Sequence, residues 1–473
     1  MRIIHISAEC YPIAKVGGLA DVVGALPKYQ SKEGNDVDVI MPFYDNPFTK
    51  KNYFKSVFKS TIDFGENLIN VDVLKLNGDS NLGYNLYVVK IQGLMDRENV
   101  YSYDDDVERF TSFQISVLNW ILQREKKPDI IHCHDHHTGL IPFMVSHCNK
   151  YNDLSEIPTV LTIHNAQYQG WFSFNKLYYF PEFDLSKSGL LEWDNQINPL
   201  AAAIKCAWKV TTVSPSYMEE LKEKANGLEW LLDNEKAKET GILNGIDPEF
   251  WNPVTDKMIV ENYSIINNVS GKNANKKWLC EKYNLDVTKP LIIFIGRLVW
   301  EKGADLLSDI FYHSLTNEKV DVNILALGSG DPEIESKLKE LTNQFKGNYN
   351  VFIGYDEKLS HLMYAGADFL LMPSRVEPCG LNQMYALRYG TIPIVNKVGG
   401  LKDTIIDIDE ENGYGFCHNQ VTVSDVCYAI SRAAKLYKDQ KEFKKIRRTV
   451  MKIDHSWNNS AKQYNQLYKS LTD

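Results

Sequence analysis

One seven-residue pattern occurs twice in this chain, as Lys15-Val16-Gly17-Gly18-Leu19-Ala20-Asp21 and as Lys397-Val398-Gly399-Gly400-Leu401-Lys402-Asp403. The first five residues are identical, and an aspartate closes both copies. The first copy follows the apolar residues Ile3, Ile4 and Ile6 and opens into Val22-Val23-Gly24-Ala25-Leu26. The second follows Ile392-Pro393-Ile394-Val395. Each reads as strand, glycine turn, helix. Such a turn puts backbone N–H groups and a lysine at a helix N-terminus, which suits an anion. The echo predicts two related halves of the nucleotide-binding type. An ordinary glycine turn used twice is the plainer alternative.

The rest of the chain follows the same rhythm of short apolar run, turn and helical pattern, which predicts an α/β protein with parallel sheets and crossover helices. Its 473 residues suffice for two or three domains. In the first half the predicted strands are Arg2–Ser7, Val37–Met41, Asp129–His134, Thr159–His164 and Lys209–Val213. A β-rich excursion is expected over Asn52–Ile91 and a helix over Glu108–Gln123. The polar stretch Glu249–Lys276 reads as a linker. Strands are expected again at Leu291–Ile295, Val322–Leu327, Asn350–Ile353, Phe369–Met372 and Ile392–Val395. Trp457, Ala461, Tyr464, Leu467 and Leu471 mark an amphipathic last helix. In doubly wound sheets ligands sit beyond the carboxyl ends of the strands, so the chemistry is expected there.

A net charge of −9 argues against generic binding to nucleic acid or to an anionic membrane. The eight cysteines are scattered, no two forming C-x-x-C, so reduced thiols in a cytoplasmic protein are expected. No cleavable leader and no apolar run long enough to span a membrane are seen in the sequence.

Four strand ends carry special residues. Gly296-Arg297-Leu298-Val299-Trp300-Glu301-Lys302-Gly303 places two cations in one turn. At about 4 Å and an effective dielectric near 20, each unit charge pair is worth about 4 kcal/mol before desolvation. Cations here favour a diphosphate that gains charge as it leaves. Ser374-Arg375-Val376-Glu377-Pro378-Cys379-Gly380-Leu381-Asn382-Gln383 reads as a loop into a helix, with amides for phosphate and Glu377 for sugar hydroxyls. A capped helix is the alternative. Ile131-His132-Cys133-His134-Asp135-His136-His137 invites a zinc reading, but strand alternation puts only His132 and His134 on one face, and no distant pair has zinc-like spacing. A substrate-lining strand end or helix capping by Asp135 is preferred, with no metal. Thr162-Ile163-His164-Asn165-Ala166-Gln167-Tyr168-Gln169-Gly170-Trp171 mixes amides and rings, as sugars require.

Taken together and in order, Lys15–Asp21, His134–Gly139, Thr162–Gly170, Leu243–Asp247, Gly296–Gly303 and Glu377–Gly390 resemble the bacterial glycogen synthases and plant starch synthases over essentially the whole length. The resemblance implies the GT-B fold: two Rossmann-like doubly wound domains facing across a deep cleft, with the C-terminal helix crossing back to the N-terminal domain. The domains would be 1–244 with 457–473, on the acceptor side, and 245–456, on the nucleotide-sugar side. It implies transfer of glucose from ADP-glucose to the non-reducing end of an α-1,4-glucan, with retention and without a metal or other cofactor.

Carried over, Lys15 and Gly18 would touch the donor diphosphate, and Arg297 and Lys302 would stabilise the leaving nucleotide. Glu377 and the amides of Cys379, Gly380, Leu381 and Asn382 would hold glucose and phosphates. His164 would lie under the anomeric carbon, Asp135 and Asn165 would contact the sugar, Tyr355 would stack on the base, and Tyr101 would face the acceptor. His136 and Asn382 depart from the tryptophan and threonine common in that family. Another nucleotide-sugar enzyme of the same fold (with UDP-glucose or a different acceptor) and a catalytically silent glucan-binding protein are the alternatives. A dehydrogenase is disfavoured, because no G-x-G-x-x-G opens the first helix. The residues leave ADP against UDP, oligomeric state and allosteric control open.

Overall fold

Runs that are apolar at every position need cover on both faces, the condition of a parallel sheet wrapped by crossover helices. The computed structural model, which describes residues 1–78 and 81–472, contains two such sheets. The chain divides into two compact units, Met1–Ile242 with Trp457–Asp473, and Leu243–Ser456.

The first unit contains β1 (Arg2–Ile6), β2 (Asp36–Pro42), β3 (Phe54–Phe64), β4 (Asn67–Leu76), β5 (Asn85–Ile91), β6 (Ile130–His134) and β7 (Thr159–Ile163). A two-residue pair, β8 (Glu192–Trp193) and β9 (Gln196–Ile197), stands apart, followed by β10 (Lys209–Thr212) and β11 (Glu239–Gly241). The main sheet has the order β11-β10-β7-β6-β1-β2-β5-β4-β3. The excursion expected over Asn52–Ile91 is the antiparallel pair β3 and β4, followed by β5, which is antiparallel to β4 and parallel to β2. From β1 the chain winds outward through β2, then returns to place β6 beside β1 and winds the other way through β7 and β10. The switch point therefore lies between β1 and β6, where ligands bind in such folds.

The second unit repeats the plan with β12 (Leu291–Ile295), β13 (Asn323–Gly328), β14 (Tyr349–Ile353), β15 (Phe369–Met372), β16 (Ile392–Asn396) and β17 (Phe416–His418), in the order β14-β13-β12-β15-β16-β17 and all parallel. Its switch point falls between β12 and β15. The short edge strand β17 was not foreseen.

The linker reading of Glu249–Lys276 is corrected. Its last third starts the helix Asn268–Tyr283, whose Asn268, Lys272, Asn275 and Lys276 are buried. The inward face is polar, so no hydrophobic period marks it. Lys272 Nζ donates to the Tyr364 carbonyl at 3.1 Å, the Tyr389 carbonyl at 3.0 Å and Thr391 Oγ1 at 2.8 Å. Lys276 Nζ lies 2.8 Å from Asp368 Oδ2, and Arg447 Nη2 lies 2.7 Å from Asp368 Oδ1. Each of these buried charges has at least one hydrogen-bonded partner, the condition under which burial is tolerated, while Arg447 Nε has none among the described residues.

The last helix, Trp457–Thr472, packs on the first unit, where Trp457, Ala461, Tyr464 and Tyr468 join Ile3, Val22, Leu26 and Ile130 in one core. The buried stripe ends on Tyr468 rather than on Leu467 and Leu471, which are only partly buried. No helix among the described residues is long and apolar enough to cross a membrane. The eight cysteines are unpaired, six of them buried.

Candidate active site

The two echoed loops differ in what their glycines do. At Gly17 and Gly18 an added Cβ would meet nothing within 4 Å. At Gly399 (φ +45°) it would lie 2.1 Å from the Glu377 carbonyl oxygen, and at Gly400 2.0 Å from that of Cys379. The first pair leaves open space before a 15-residue helix, Gly18–Lys32. The second pair lets one backbone press against the loop that carries Glu377, and the Gly400 N–H donates to the Glu377 carbonyl at 3.1 Å. The second loop is therefore a support for the Glu377 loop, and its amides are not arranged like those of the first.

The first loop already holds one anion. Glu9, buried just after β1, accepts from the Val16 N–H at 2.5 Å and the Gly17 N–H at 2.9 Å through Oε2, while Oε1 accepts from the Tyr101 hydroxyl at 2.7 Å. One carboxylate thus orients both the glycine turn and Tyr101. Lys15 Nζ pairs with Asp21 Oδ1 at 2.7 Å, and Gly18 is the first residue of the helix. Arg109, fully buried, fixes the segment before Tyr101 by donating to the carbonyls of Leu94 at 2.9 Å, Val100 at 3.1 Å and Asn99 at 3.3 Å, besides pairing with Asp106. The Tyr101 ring stacks on His137, centroids 4.6 Å apart. Glu9 and Arg109 carry no local motif. Their partners lie 92 and up to 15 residues away, and the sequence offers no signal for them.

At the end of β6, Asp135 adopts φ 57° and ψ −176°. That region is nearly exclusive to glycine and costs about 1–3 kcal/mol. Its side chain does not cap the following turn. Instead Oδ1 accepts from the His164 N–H at 2.7 Å and the Asn165 N–H at 3.5 Å, which joins β6 to the end of β7. Oδ2 has no hydrogen-bond partner among the described residues. Burial pushes the Asp135 carboxyl up to about 7, with the Glu9 carboxylate acting in the same sense against the two N–H donors. His164 is buried, and burial lowers its imidazole to about 3, so it is neutral. Its Nε2 lies 3.0 Å from His134 Nδ1. Asn165 Oδ1 accepts from the Gln167 N–H at 3.0 Å. A strained, buried carboxyl with a perturbed pKa beside a neutral imidazole at a switch point is the signature of a functional site.

Asp135→Asn keeps both backbone bonds and removes the charge. An acid whose folded pKa is raised adds its full stability below its unfolded value, here near 3.8, and loses it as pH climbs towards 7. The variant is therefore expected to melt several degrees above the parent at pH 8, the gap closing towards pH 4. Equal melting temperatures at pH 8 in scanning calorimetry would show that burial does not raise the Asp135 carboxyl.

The zinc reading is partly corrected, since a distant partner does exist. β1 and β6 run in register with His5 opposite His132, and ligand atoms of His5, His132 and His134 lie within 4.8 Å of one another. His132 and His134 do share a face, with rings stacked at 4.3 Å. All six ring nitrogens of the three are engaged in hydrogen bonds within the protein. His136 packs on His137 with centroids 3.7 Å apart, and a Cβ at Gly170 would meet the His136 ring at 2.3 Å.

In the second unit the turn after β12 and the loop after β15 flank the switch point and are bound together. Arg375 N donates to the Glu301 carbonyl at 2.8 Å, and the Arg375 guanidinium grips Asp305 at 2.6 and 2.9 Å and the Trp300 carbonyl at 2.7 Å. Within this frame Lys302 Nζ lies 2.6 Å from Glu377 Oε2, which also accepts from the Ser374 hydroxyl at 3.0 Å. Glu377 Oε1 accepts no bond among the described residues. Arg297 is exposed and has no ion-pair partner among the described residues. Asn382 opens the helix Asn382–Arg388 and donates through Nδ2 to the Ile295 carbonyl at 2.8 Å, so its side chain ties β12 to that helix. Leu381 is the residue before that helix, and Gly380 has φ +70°. Cys379 is buried, which raises its thiol far above the usual range and leaves it inert. Tyr355, after β14, is 83% exposed.

Residues 2–234 match the family model of the starch synthase catalytic domain, and residues 276–450 match that of glycosyl transferases group 1. The chain is 58% identical to the glycogen synthase of Flavobacterium johnsoniae, over 100% of this chain and 99% of that one. It is 37% identical to the glycogen synthase of Lactobacillus acidophilus, over the full length of both. Its structure matches the catalytic domain of starch synthase IV from Arabidopsis thaliana bound to ADP and acarbose, with a TM-score of 0.89, 34% identity and coverage of 100% and 99% of the two chains. Against the sucrose-phosphate synthase of Thermosynechococcus elongatus, the TM-score of 0.61 at 17% identity, over 99% and 98%, reflects a shared fold.

Proposed function

Because the chain belongs to the family of bacterial glycogen synthases and starch synthases, glycosyltransferases of the GT-B fold, we propose that it transfers glucose from ADP-glucose to the non-reducing end of an α-1,4-glucan with retention at the anomeric carbon. The observation that carries this reading is the pair of chemistries at the second switch point. An exposed Arg297, without an acidic partner among the described residues, stands with a Lys302–Glu377 pair whose second carboxylate oxygen is likewise unengaged among them.

The bond that breaks joins the anomeric carbon to a diphosphate oxygen, and the departing ADP gains charge. Arg297 and Lys302 answer that charge, and they do so more strongly in the transition state than in the ground state. Glu377 Oε1 accepts from a glucose hydroxyl while Lys302 and Ser374 hold Oε2. The backbone of Cys379, Gly380, Leu381 and Asn382 serves the phosphates, and Tyr355 offers a ring face to the base. In the first unit Lys15 and Gly18 serve the diphosphate, Asp135 and Asn165 the sugar, and His164 the region of the anomeric carbon. Tyr101, held by Glu9, faces the glucan. The reading places the enzyme in the cytoplasm, without a metal or other cofactor.

The test is incorporation of label into glycogen from ADP-glucose and, separately, from UDP-glucose, with released nucleotide counted. ADP-glucose is expected to be the better donor by more than tenfold. Incorporation from UDP-glucose alone would keep the chemistry and overturn the choice of base. Tight glycogen binding without nucleotide release from either donor would make the protein a silent glucan binder.

A further inference from the structure

Two hydrogen-bonded branches run through the core of the first unit and meet at Gln30. In one, Gln30 Oε1 lies 2.7 Å from His5 Nε2, His5 Nδ1 lies 3.0 Å from His134 Nε2, and His134 Nδ1 lies 3.0 Å from His164 Nε2. In the other, Gln30 Nε2 lies 3.3 Å from the Tyr468 hydroxyl, which is 2.6 Å from His132 Nδ1. His132 Nε2 is 2.6 Å from Thr162 Oγ1, and Thr162 Oγ1 is 2.6 Å from Thr211 Oγ1, which donates to the Leu161 carbonyl at 3.2 Å. Gln30, His5, His132, His134 and Tyr468 are fully or almost fully buried.

The last acceptor fixes the direction of every proton. A carbonyl oxygen only accepts, so the Thr211 hydroxyl donates to Leu161 and must accept from Thr162. The Thr162 proton is then spent, and Thr162 accepts from His132 Nε2–H. His132 Nδ1 is left as an acceptor for the Tyr468 O–H. The Tyr468 oxygen in turn accepts from the Gln30 amide, which aims Gln30 Oε1 at His5. His5 therefore donates through Nε2–H and accepts at Nδ1 from His134 Nε2–H, and His134 Nδ1 accepts from His164 Nε2–H. Burial lowers the pKa of all four histidines, to about 4 for His5 and about 3 for His164, so each ring carries one proton.

We propose that Tyr468 and Gln30 are positioning residues that lock His164 in its Nε2–H form and leave Nδ1 as a lone-pair acceptor. His164 Nδ1 has no partner among the described residues. An imidazole so locked receives a ligand hydroxyl and rejects a phosphate oxygen, which offers only lone pairs. The catalytic consequence rests on the reading that places His164 at the sugar. The proton assignment rests on the hydrogen-bond geometry alone.

Long-range proton–nitrogen spectra of full-length protein labelled in histidine nitrogen report which ring nitrogen bears the proton. The parent is expected to show the Nε2–H form at His5, His132, His134 and His164, assigned by single substitutions. Tyr468→Phe frees the Gln30 amide to turn over. It is expected to bring in the Nδ1–H form at His164 and to lower kcat on the order of tenfold with little change in donor KM. Thr211→Val removes the anchor from the far end of the chain and is expected to act in the same sense, giving a second route should Tyr468→Phe misfold. A parent His164 in the Nδ1–H form overturns the proposal, as does a pure Nε2–H signal in both variants. Full turnover in His164→Ala would instead sink the reading of His164 as a residue at the reaction, a result separable from the spectra.

Discussion

Lys302→Ala is expected to lower turnover on the order of 10²–10³-fold, the usual loss when a charge partner of the transition state is removed. The magnitude follows from where Lys302 sits. Its ammonium is held 2.6 Å from Glu377 in a frame fixed by Arg375, so it needs no reorganisation as charge develops. Its removal also leaves Glu377, nearly buried, without its cation. Lys302→Arg, which keeps charge but changes reach, is expected to fall between. The measurement is glucose transfer with saturating donor, alongside a melting curve to show the fold intact. Near-normal turnover in Lys302→Ala would remove this lysine from the mechanism.

Asp368→Ala is expected to cost about 3–5 kcal/mol, because breaking a buried pair strands its partners. Here two cations would be stranded, Lys276 and Arg447, each 6% exposed or less at the side chain. A cost of that size corresponds to a fall in Tm of roughly 10 °C for a unit of this length. Burial alone would raise the Asp368 carboxyl. Lys276 first and Arg447 next outweigh it and hold it below the ordinary 3.8. For an acid with a depressed folded pKa, the stability is present above the unfolded value and is lost as pH falls through the folded one. The gap between parent and variant should therefore be full at pH 7 and shrink below pH 4. An unchanged Tm at pH 7 would contradict it.

The parallel strands at the centre of both sheets were legible because most of them, such as β1, β12, β13, β15 and β16, are buried on both faces and so appear as apolar runs, whereas the antiparallel β3 and β4 are largely exposed and show only alternation. The strand ends were legible as well, since doubly wound sheets gather ligands there. The helix Asn268–Tyr283 was hidden because the face it turns inward is made of asparagine and lysine. The glycine echo was plain, but only the backbone shows that Gly17 and Gly18 face open space while Gly399 and Gly400 face carbonyl oxygens. Asp135 could be singled out from its neighbours, whereas its left-handed backbone and its bond to His164 could not. Glu9, Gln30 and Tyr468 were missed for one reason. Each works through a partner far along the chain, Gln30 and Tyr468 being 438 residues apart, and no local pattern encodes such a meeting.

The first unit is assembled from two stretches, Met1–Ile242 and Trp457–Asp473, separated along the chain by the whole of the second unit. A ribosome making this chain delivers Ile3, Val22 and Ile130 early, and delivers Trp457, Tyr464 and Tyr468 only after the whole of the second unit has been synthesised. Until then the first unit exposes the apolar seat of its last helix, and the hydrogen bond from Gln30 towards Tyr468 has no receiver. Units generally fold as they emerge, but this one must wait. A chain released early, or trimmed by a protease within its last turns, would carry every residue proposed to touch substrate and still lack a finished fold around them.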